Sequence, residues 1–498
     1  MARERIDETD FPTIGELIVR RAAENGQRHY LEDARSDRAL TYADLLAGVT
    51  DFLRAAALGE PTTVFVQIAD PLAFALAHLA LVAAGHRSVP MDPALGVADI
   101  RRLAGLVDGP KALVADDPER AAEAGLRPLP VPDPQREHRA EVDASSLFRD
   151  GGSAMLFTSG STGKPKGVEL TADRLAFVGS AVGRHLRLTE SDRGYNPLPL
   201  FHINAEVVGL LATLNAGATL VLDRRFHRTD FWPLMAQRRI TWINAVPAIL
   251  AVLATEPIVP PPGLRLIRTA SAPLPGPVAD AFIAIPLVVS YGMTEASSQI
   301  TATPVDAPRA GTVGIPVGTE VQVRDGAGVV PDGTVAELWI RGRGVVRSYF
   351  AGAAADRFDT EGWLRTGDLG SRDADGYITL AGRVDDVINR GGEKVYPLEV
   401  EEALLTDPAV REVVVVGAPD EVLGSVPVAF VIPAESIRSA EDDDALVDRL
   451  RLVAEQRLPR FKRPRTITVV DDVPRAATGK VQRVRLRAAV AEPADGTE

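Results

Sequence analysis

One repeated pattern does most to restrict the fold of this chain: apolar strands alternate with helices. Val64-Phe-Val-Gln-Ile68 reads as a buried strand, and Pro71 opens a helix that Gly85 ends. Ahead of it, Thr13 and Glu16 have capping-box spacing. Thr41 begins a second helix with Leu45, Val49, Phe52 and Leu53 on one face. The alternation resumes with strand 218–222, a helix over about 229–239, strand 241–244, a helix from Pro247 and strand 264–269. Such repetition predicts an α/β fold with doubly wound, mostly parallel sheets. From about Gly311 to Tyr377 short strands alternate with Asp-Gly turns, which predicts an antiparallel β unit. Beyond a boundary near Gly382-Arg-Val-Asp-Asp386 the pattern is a small α+β unit. It has a helix from Pro397, strand 413–416, a helix over about 444–457 and strand 466–470.

Length and composition narrow the function. At 498 residues the chain exceeds a single ordinary core. A net charge of −13 argues against nucleic acid as a partner, since no global positive field attracts phosphates. The absence of cysteine excludes disulfides, a zinc-thiolate site and a cysteine nucleophile. The seven histidines lack the spacing of a helical metal site. The acidic N-terminus has no signal-peptide pattern, and the longest apolar stretch, 71–85, is too short to span a bilayer. A cytoplasmic enzyme is the expectation.

Chemistry enters with Thr158-Ser-Gly-Ser-Thr-Gly-Lys-Pro-Lys-Gly167, directly after the apolar Met155-Leu-Phe157. Glycines let the main chain approach a ligand closely. Hydroxyls and freed N–H groups donate to phosphate oxygens, and lysines neutralise charge. The order is not that of a Walker A loop, because Pro165 follows Gly163-Lys164. On its own the loop indicates a nucleotide binder.

Four further motifs follow in order: Tyr291-Gly-Met-Thr-Glu295, Thr366-Gly-Asp368, Gly382-Arg-Val-Asp-Asp386 with Asn389-Arg-Gly-Gly-Glu-Lys394, and Pro474-Arg-Ala-Ala-Thr-Gly-Lys480. Together with the loop, they resemble the signatures of the adenylate-forming superfamily of acyl-CoA synthetases, peptide-synthetase adenylation domains and luciferases. The resemblance implies an N-terminal adenylation domain over 1–382, with two α/β subdomains and a β-barrel-like subdomain from about 311. It further implies a hinge at 383–386 and a small mobile domain over 387–498. The implied reaction joins a carboxylate to the α-phosphate of ATP, and CoA then displaces AMP. ATP, Mg²⁺ and CoA are the implied cofactors, and a homodimer is a family habit.

Residue by residue, the resemblance implies that Thr158, Ser159, Gly160, Ser161, Thr162, Gly163, Lys164 and Lys166 meet the phosphates. Ser271, Ala272 and Pro273, with Ser290, Tyr291 and Gly292, would sandwich adenine; core packing is the rival role for Tyr291. Thr294 would touch the α-phosphate, and Glu295 would hold Mg²⁺. Asp368 would accept the ribose hydroxyls, with Arg383 on ribose or phosphate. Lys480 would neutralise charge where the new bond forms. Asp385 would be the hinge, and Gly391, Gly392 and Lys394 would face the CoA arm. Arg460, Lys462, Arg463 and Arg465 form a basic cluster that either meets CoA phosphates or is a solvated face.

The implied acyl pocket is lined by His202, Asn204, Val207, Val246, Thr269, Ala270, Met293 and Ala296. These are mostly small and apolar, and the segment 201–206 lacks the aspartate of amino-acid-activating relatives. An apolar acid is therefore expected, with CoA as acceptor. A ligase that loads an acyl carrier protein is the alternative, and a non-catalytic adenylate binder the reading from another class.

Overall fold

A computed structural model describes residues 11–136, 146–159, 165–326, 328–434, 443–475 and 481–491. Two sheets make up most of the N-terminal part. The first has six strands in the order 127–129, 111–115, 63–67, 87–90, 153–159, 165–171, parallel except for the last. The second has nine, in the order 315–316, 301–302, 287–291, 266–269, 242–245, 193–196, 219–222, 29–33, 39–41, with six parallel strands in the middle.

Helix Pro71–Ala83 belongs to the core shared by both sheets, and all of its residues are buried. Its N-terminus is fixed locally. Asp70 accepts from Leu72 N and Ala73 N, and Pro71 takes the first helical position, where no N–H is needed. Gly85, at φ +80°, follows the helix's end. Helix Tyr42–Ala56 starts at Thr41, whose hydroxyl accepts from Asp44 N while Asp44 accepts from Thr41 N.

The antiparallel unit is a five-stranded sheet in the order 328–329, 320–325, 336–341, 364–372, 378–383. It begins at Glu320 rather than near 311, because Thr301–Ala302 and Ile315–Pro316 extend the edge of the nine-stranded sheet instead. After a single 3-10 turn, Val384–Asp386, the C-terminal unit has its own core around Val400, Leu404, Val415, Val431 and Leu450. Its long hairpin pairs Val410–Asp420 with Gly424–Pro433, and Thr466–Val469 lies parallel on the latter.

Candidate active site

Parallel sheets place ligands at the carboxyl ends of their strands, where backbone groups and loop side chains converge. Segment 291–296 leaves the nine-stranded sheet at such an end and serves two poles of the site.

The first pole lies toward the phosphate loop. Strands Ser153–Ser159 and Pro165–Thr171 pair until Ser159 faces Pro165. The expected contacts at Gly160, Ser161, Thr162, Gly163 and Lys164 lie outside the described residues. Thr158 donates to Lys166 O at 3.4 Å, and Lys166 Nζ lies 5.8 Å from the ring centre of Tyr349. Tyr349 donates to Glu295 Oε1 at 2.5 Å, and Arg357 Nη1 is 3.4 Å from the same oxygen. Burial, then the charge of Glu295, raises the Tyr349 pKa, so its hydroxyl remains a donor. Glu295 is buried in the 3-10 turn Thr294–Ala296, where its carbonyl accepts from Val346 N. Both side-chain contacts fall on Oε1, and Oε2 takes neither. Among the described residues no group of three or more acidic or histidine side chains could hold a metal unaided. A lone carboxylate of this kind fits Mg²⁺ that shares its oxygens with a nucleotide, as this ion commonly does.

The second pole is Asp368. Gly367, at φ +76°, turns the chain ahead of it, and Gly367 N donates to Glu337 Oε1 at 3.1 Å. Asp368 Oδ2 accepts from Tyr291 OH at 2.6 Å, and Oδ1 lies 3.6 Å from Nη1 of Arg383, directly opposite in the neighbouring strand. Burial and the adjacent carboxylate push the Tyr291 hydroxyl well above its ordinary pKa. Tyr291 is thus pinned through its hydroxyl as well as packed in the core.

Backbone strain collects just after this segment and at Ser271 on the rim. Ser297 and Ser298 are left-handed at φ 50° and 94°, and Ser271 at φ 80°. Side chains are rarely held there without compensation, and each instance costs on the order of 1 kcal/mol or more. Ser297 recovers part of this by donating to Gly344 O at 2.8 Å. Gly292 has no room for a side chain: a Cβ would sit 1.5 Å from Ser298 O.

Of the residues expected to line the acid pocket, Val207, Ala270 and Ala296 are buried, while His202, Asn204, Val246 and Met293 are half-buried. Ser271, Ala272 and Pro273 are exposed on the rim. Asn204 immediately precedes a π-helix, Ala205–Leu211. Within it Glu206 is fully buried and 2.9 Å from His78 Nε2, so it faces the core.

A polar row missed in the sequence crosses the strand ends here. Asn244 Nδ2 donates to Asn196 Oδ1 at 2.9 Å and to Asn204 Oδ1 at 3.2 Å. Arg268, only 1% exposed, donates from Nη1 to Asn204 Oδ1 at 2.7 Å and to Asn244 Oδ1 at 3.2 Å. Its Nε reaches Ser290 Oγ at 3.2 Å, so the Ser290 hydroxyl joins this row. Burial pulls the Arg268 guanidinium down to about 9, which still leaves it charged at neutral pH. A charged residue within the buried strand Leu266–Thr269 was the available signal.

In the C-terminal unit, Gly391 and Gly392 (φ 59° and 93°) form the two-residue turn of a hairpin between Ile388–Arg390 and Glu393–Val395. They are exposed, as is Lys394. Asp385 O accepts from Arg487 Nη1 at 2.7 Å. Lys480 lies outside the described residues. In the basic cluster, Lys462 is bound to Glu399 at 2.6 Å and Arg465 pairs with Asp420, so these two cations are engaged within the unit.

The model of the AMP-binding enzyme family matches residues 18–350, and that of the AMP-binding enzyme C-terminal domain matches 399–480. The sulfoacetate–CoA ligase of Cupriavidus necator is 36% identical over 503 residues, covering 96% of this chain and 97% of that protein. The oxalate–CoA ligase of Arabidopsis thaliana is 39% identical over 350 residues, covering 67% of this chain and 66% of that protein. Among solved structures, the o-succinylbenzoate CoA synthetase of Bacillus subtilis with its acyl-adenylate intermediate has a TM-score of 0.82 at 28% identity, covering 95% of this chain and 97% of that one. The same synthetase with ATP and a magnesium ion gives 0.78 at 30% identity, covering 95% and 98%.

Proposed function

The chain belongs to the AMP-binding enzyme family, and from that premise we propose how its residues share the work. It is an acid–thiol ligase of the AMP-forming type, which converts a carboxylic acid, ATP and CoA to an acyl-CoA. A carboxylate oxygen attacks the α-phosphate, pyrophosphate leaves, and the CoA thiol then displaces AMP from the acyl carbonyl.

The observation that carries the assignment of roles is the bipolar segment 291–296. Tyr291 at one end holds Asp368, and Glu295 at the other accepts from Tyr349, whose ring lies beside Lys166. Asp368, flanked by Arg383, presents a carboxylate to the ribose hydroxyls. Lys166, Arg357 and the loop 158–167 oppose the phosphate charge. Bound Mg²⁺ supplies Lewis-acid neutralisation of the phosphates, with Glu295 as its protein ligand. Thr294, half-buried at the start of the turn, faces the α-phosphate, and Lys480 aligns the carboxylate with it.

Sulfoacetate, oxalate and succinylbenzoate, the acids in the relatives' names, each carry two ionised groups. Together with the polar row around Arg268, they favour a polar acid over the apolar one that the small lining residues alone suggest. The test is AMP release from the purified chain with ATP, Mg²⁺ and a panel of acids, with CoA present or omitted. Acid- and CoA-dependent AMP is the expected result. AMP release only with a pantetheinylated carrier protein would assign the carrier-loading role instead.

A further inference from the structure

Among the described residues, Arg268 is a buried cation without a counter-charge. Its partners are Ser290 Oγ and three side-chain amide oxygens, those of Asn204, Asn244 and Gln299. All four are neutral, and among the described residues no carboxylate forms an ion pair with it. Burying a charge this completely is costly unless it is paired, so such groups are ordinarily found with an opposite charge. Two donors in the row are also poorly used. Arg268 Nη2 reaches only Gln299 Oε1, at 3.5 Å, and Gln299 Nε2 is buried with no hydrogen-bond partner among the described residues. The cluster is therefore rich in donors, poor in acceptors, and carries one net positive charge.

Position turns this into a subsite. The row lies at the carboxyl ends of parallel strands 193–196, 242–245, 266–269 and 287–291, where sheets of this kind receive ligands. Asn204 bridges it to the exposed rim: its Nδ2 donates to Ser271 Oγ at 3.3 Å, while its Oδ1 accepts from Arg268. One side chain spans the distance from the rim to the guanidinium, so the ligand that reaches it from the reacting end is short. The Asn204 amide oxygen occupies the place that an anionic oxygen would fill with a stronger, charge-assisted bond.

We propose that Arg268, with Asn204 and Gln299, is a subsite for a second anionic group on the acid, making short acids with an additional carboxylate or sulfonate the substrate class. The acid's far oxyanion displaces the Asn204 amide from Nη1 and takes the idle donors of Nη2 and Gln299 Nε2. Its other carboxylate remains at the α-phosphate.

This deepens the ligase reading and rests on it, so the test keeps the two apart. Malonate and succinate are each compared with the monomethyl ester, and sulfoacetate with methylsulfonylacetate, by CoA-dependent AMP release. The preferred dianion should exceed its single-charge partner in kcat/KM by about 100-fold or more, since a site built to bind a polar group rejects analogues that lack it. That ratio should collapse toward unity in Arg268→Gln and survive in part in Arg268→Lys. Turnover of the single-charge acids as good as or better than the dianions would overturn the subsite while leaving the ligase reading intact. An unchanged ratio in a folded Arg268→Gln would also overturn it. No AMP release with any acid would remove the ligase reading itself. The wild-type ratio decides the matter even where a variant fails to fold.

Discussion

The hydroxyl of Tyr291 donates to Oδ2 of Asp368 at 2.6 Å, joining the end of a parallel strand in the nine-stranded sheet to the antiparallel sheet. The bond helps to orient a carboxylate that also faces Arg383. In Tyr291→Phe the ring packing is kept and this constraint is lost. Hydrogen bonds to charged groups contribute about 1.5–3 kcal/mol. The KM for ATP should therefore rise by roughly 10- to 100-fold, with a smaller change in kcat; an unaltered KM in steady-state kinetics would refute the role.

Glu295→Gln keeps the shape of the side chain and the Tyr349 contact but removes the charge. Adenylation should fall by about 100-fold or more, as for other losses of pre-organised charge in active sites. The Mg²⁺ concentration for half-maximal rate should rise as well. A variant with normal Mg²⁺ dependence would mean that Glu295 only anchors Tyr349.

Gly292→Ala forces a methyl group against the backbone of Ser298 rather than against a movable side chain. Overpacking ordinarily costs about 1–3 kcal/mol, and a rigid contact lies at or beyond the upper end. A clear fall in melting temperature is expected, together with lost activity. A thermal melt matching the parent would show that segment 292–298 shifts freely.

Lys480→Ala should abolish acid-dependent ATP–pyrophosphate exchange and leave thioester formation from supplied acyl-adenylate largely intact. The asymmetry is the informative part, because a general folding defect would depress both half-reactions. Normal exchange in the variant would remove Lys480 from the first step.

Much of the molecule was legible in the sequence because its signals are local. Capping at Thr13 and Thr41, the Pro71 helix start and the order of motifs each depend on a few adjacent residues. Tyr349 and Arg357 were not legible, since neither lies in a motif and both meet Glu295 across more than fifty positions. The row Asn196, Asn244, Arg268 and Ser290 was hidden for another reason. Its members sit on separate strands, and only the order in which those strands line up makes them neighbours. Small residues such as Ala270 and Ala296 were visible, so the lining read as apolar, whereas the charge behind it was not.

The π-helix 205–211 has a consequence for how such a site can diversify. A π turn holds an extra residue within an otherwise ordinary helix. Glu206, buried 2.9 Å from His78 Nε2, marks one end of that surplus, and helix Ala212–Ala216 continues from the other. Deleting a single residue between them would tighten the turn and swing whatever precedes it by about 100° around the helix axis. Asn204 would then leave its place beside Asn244 and Arg268. If Asn204 borders the acid as proposed, segment length alone can retune acid choice.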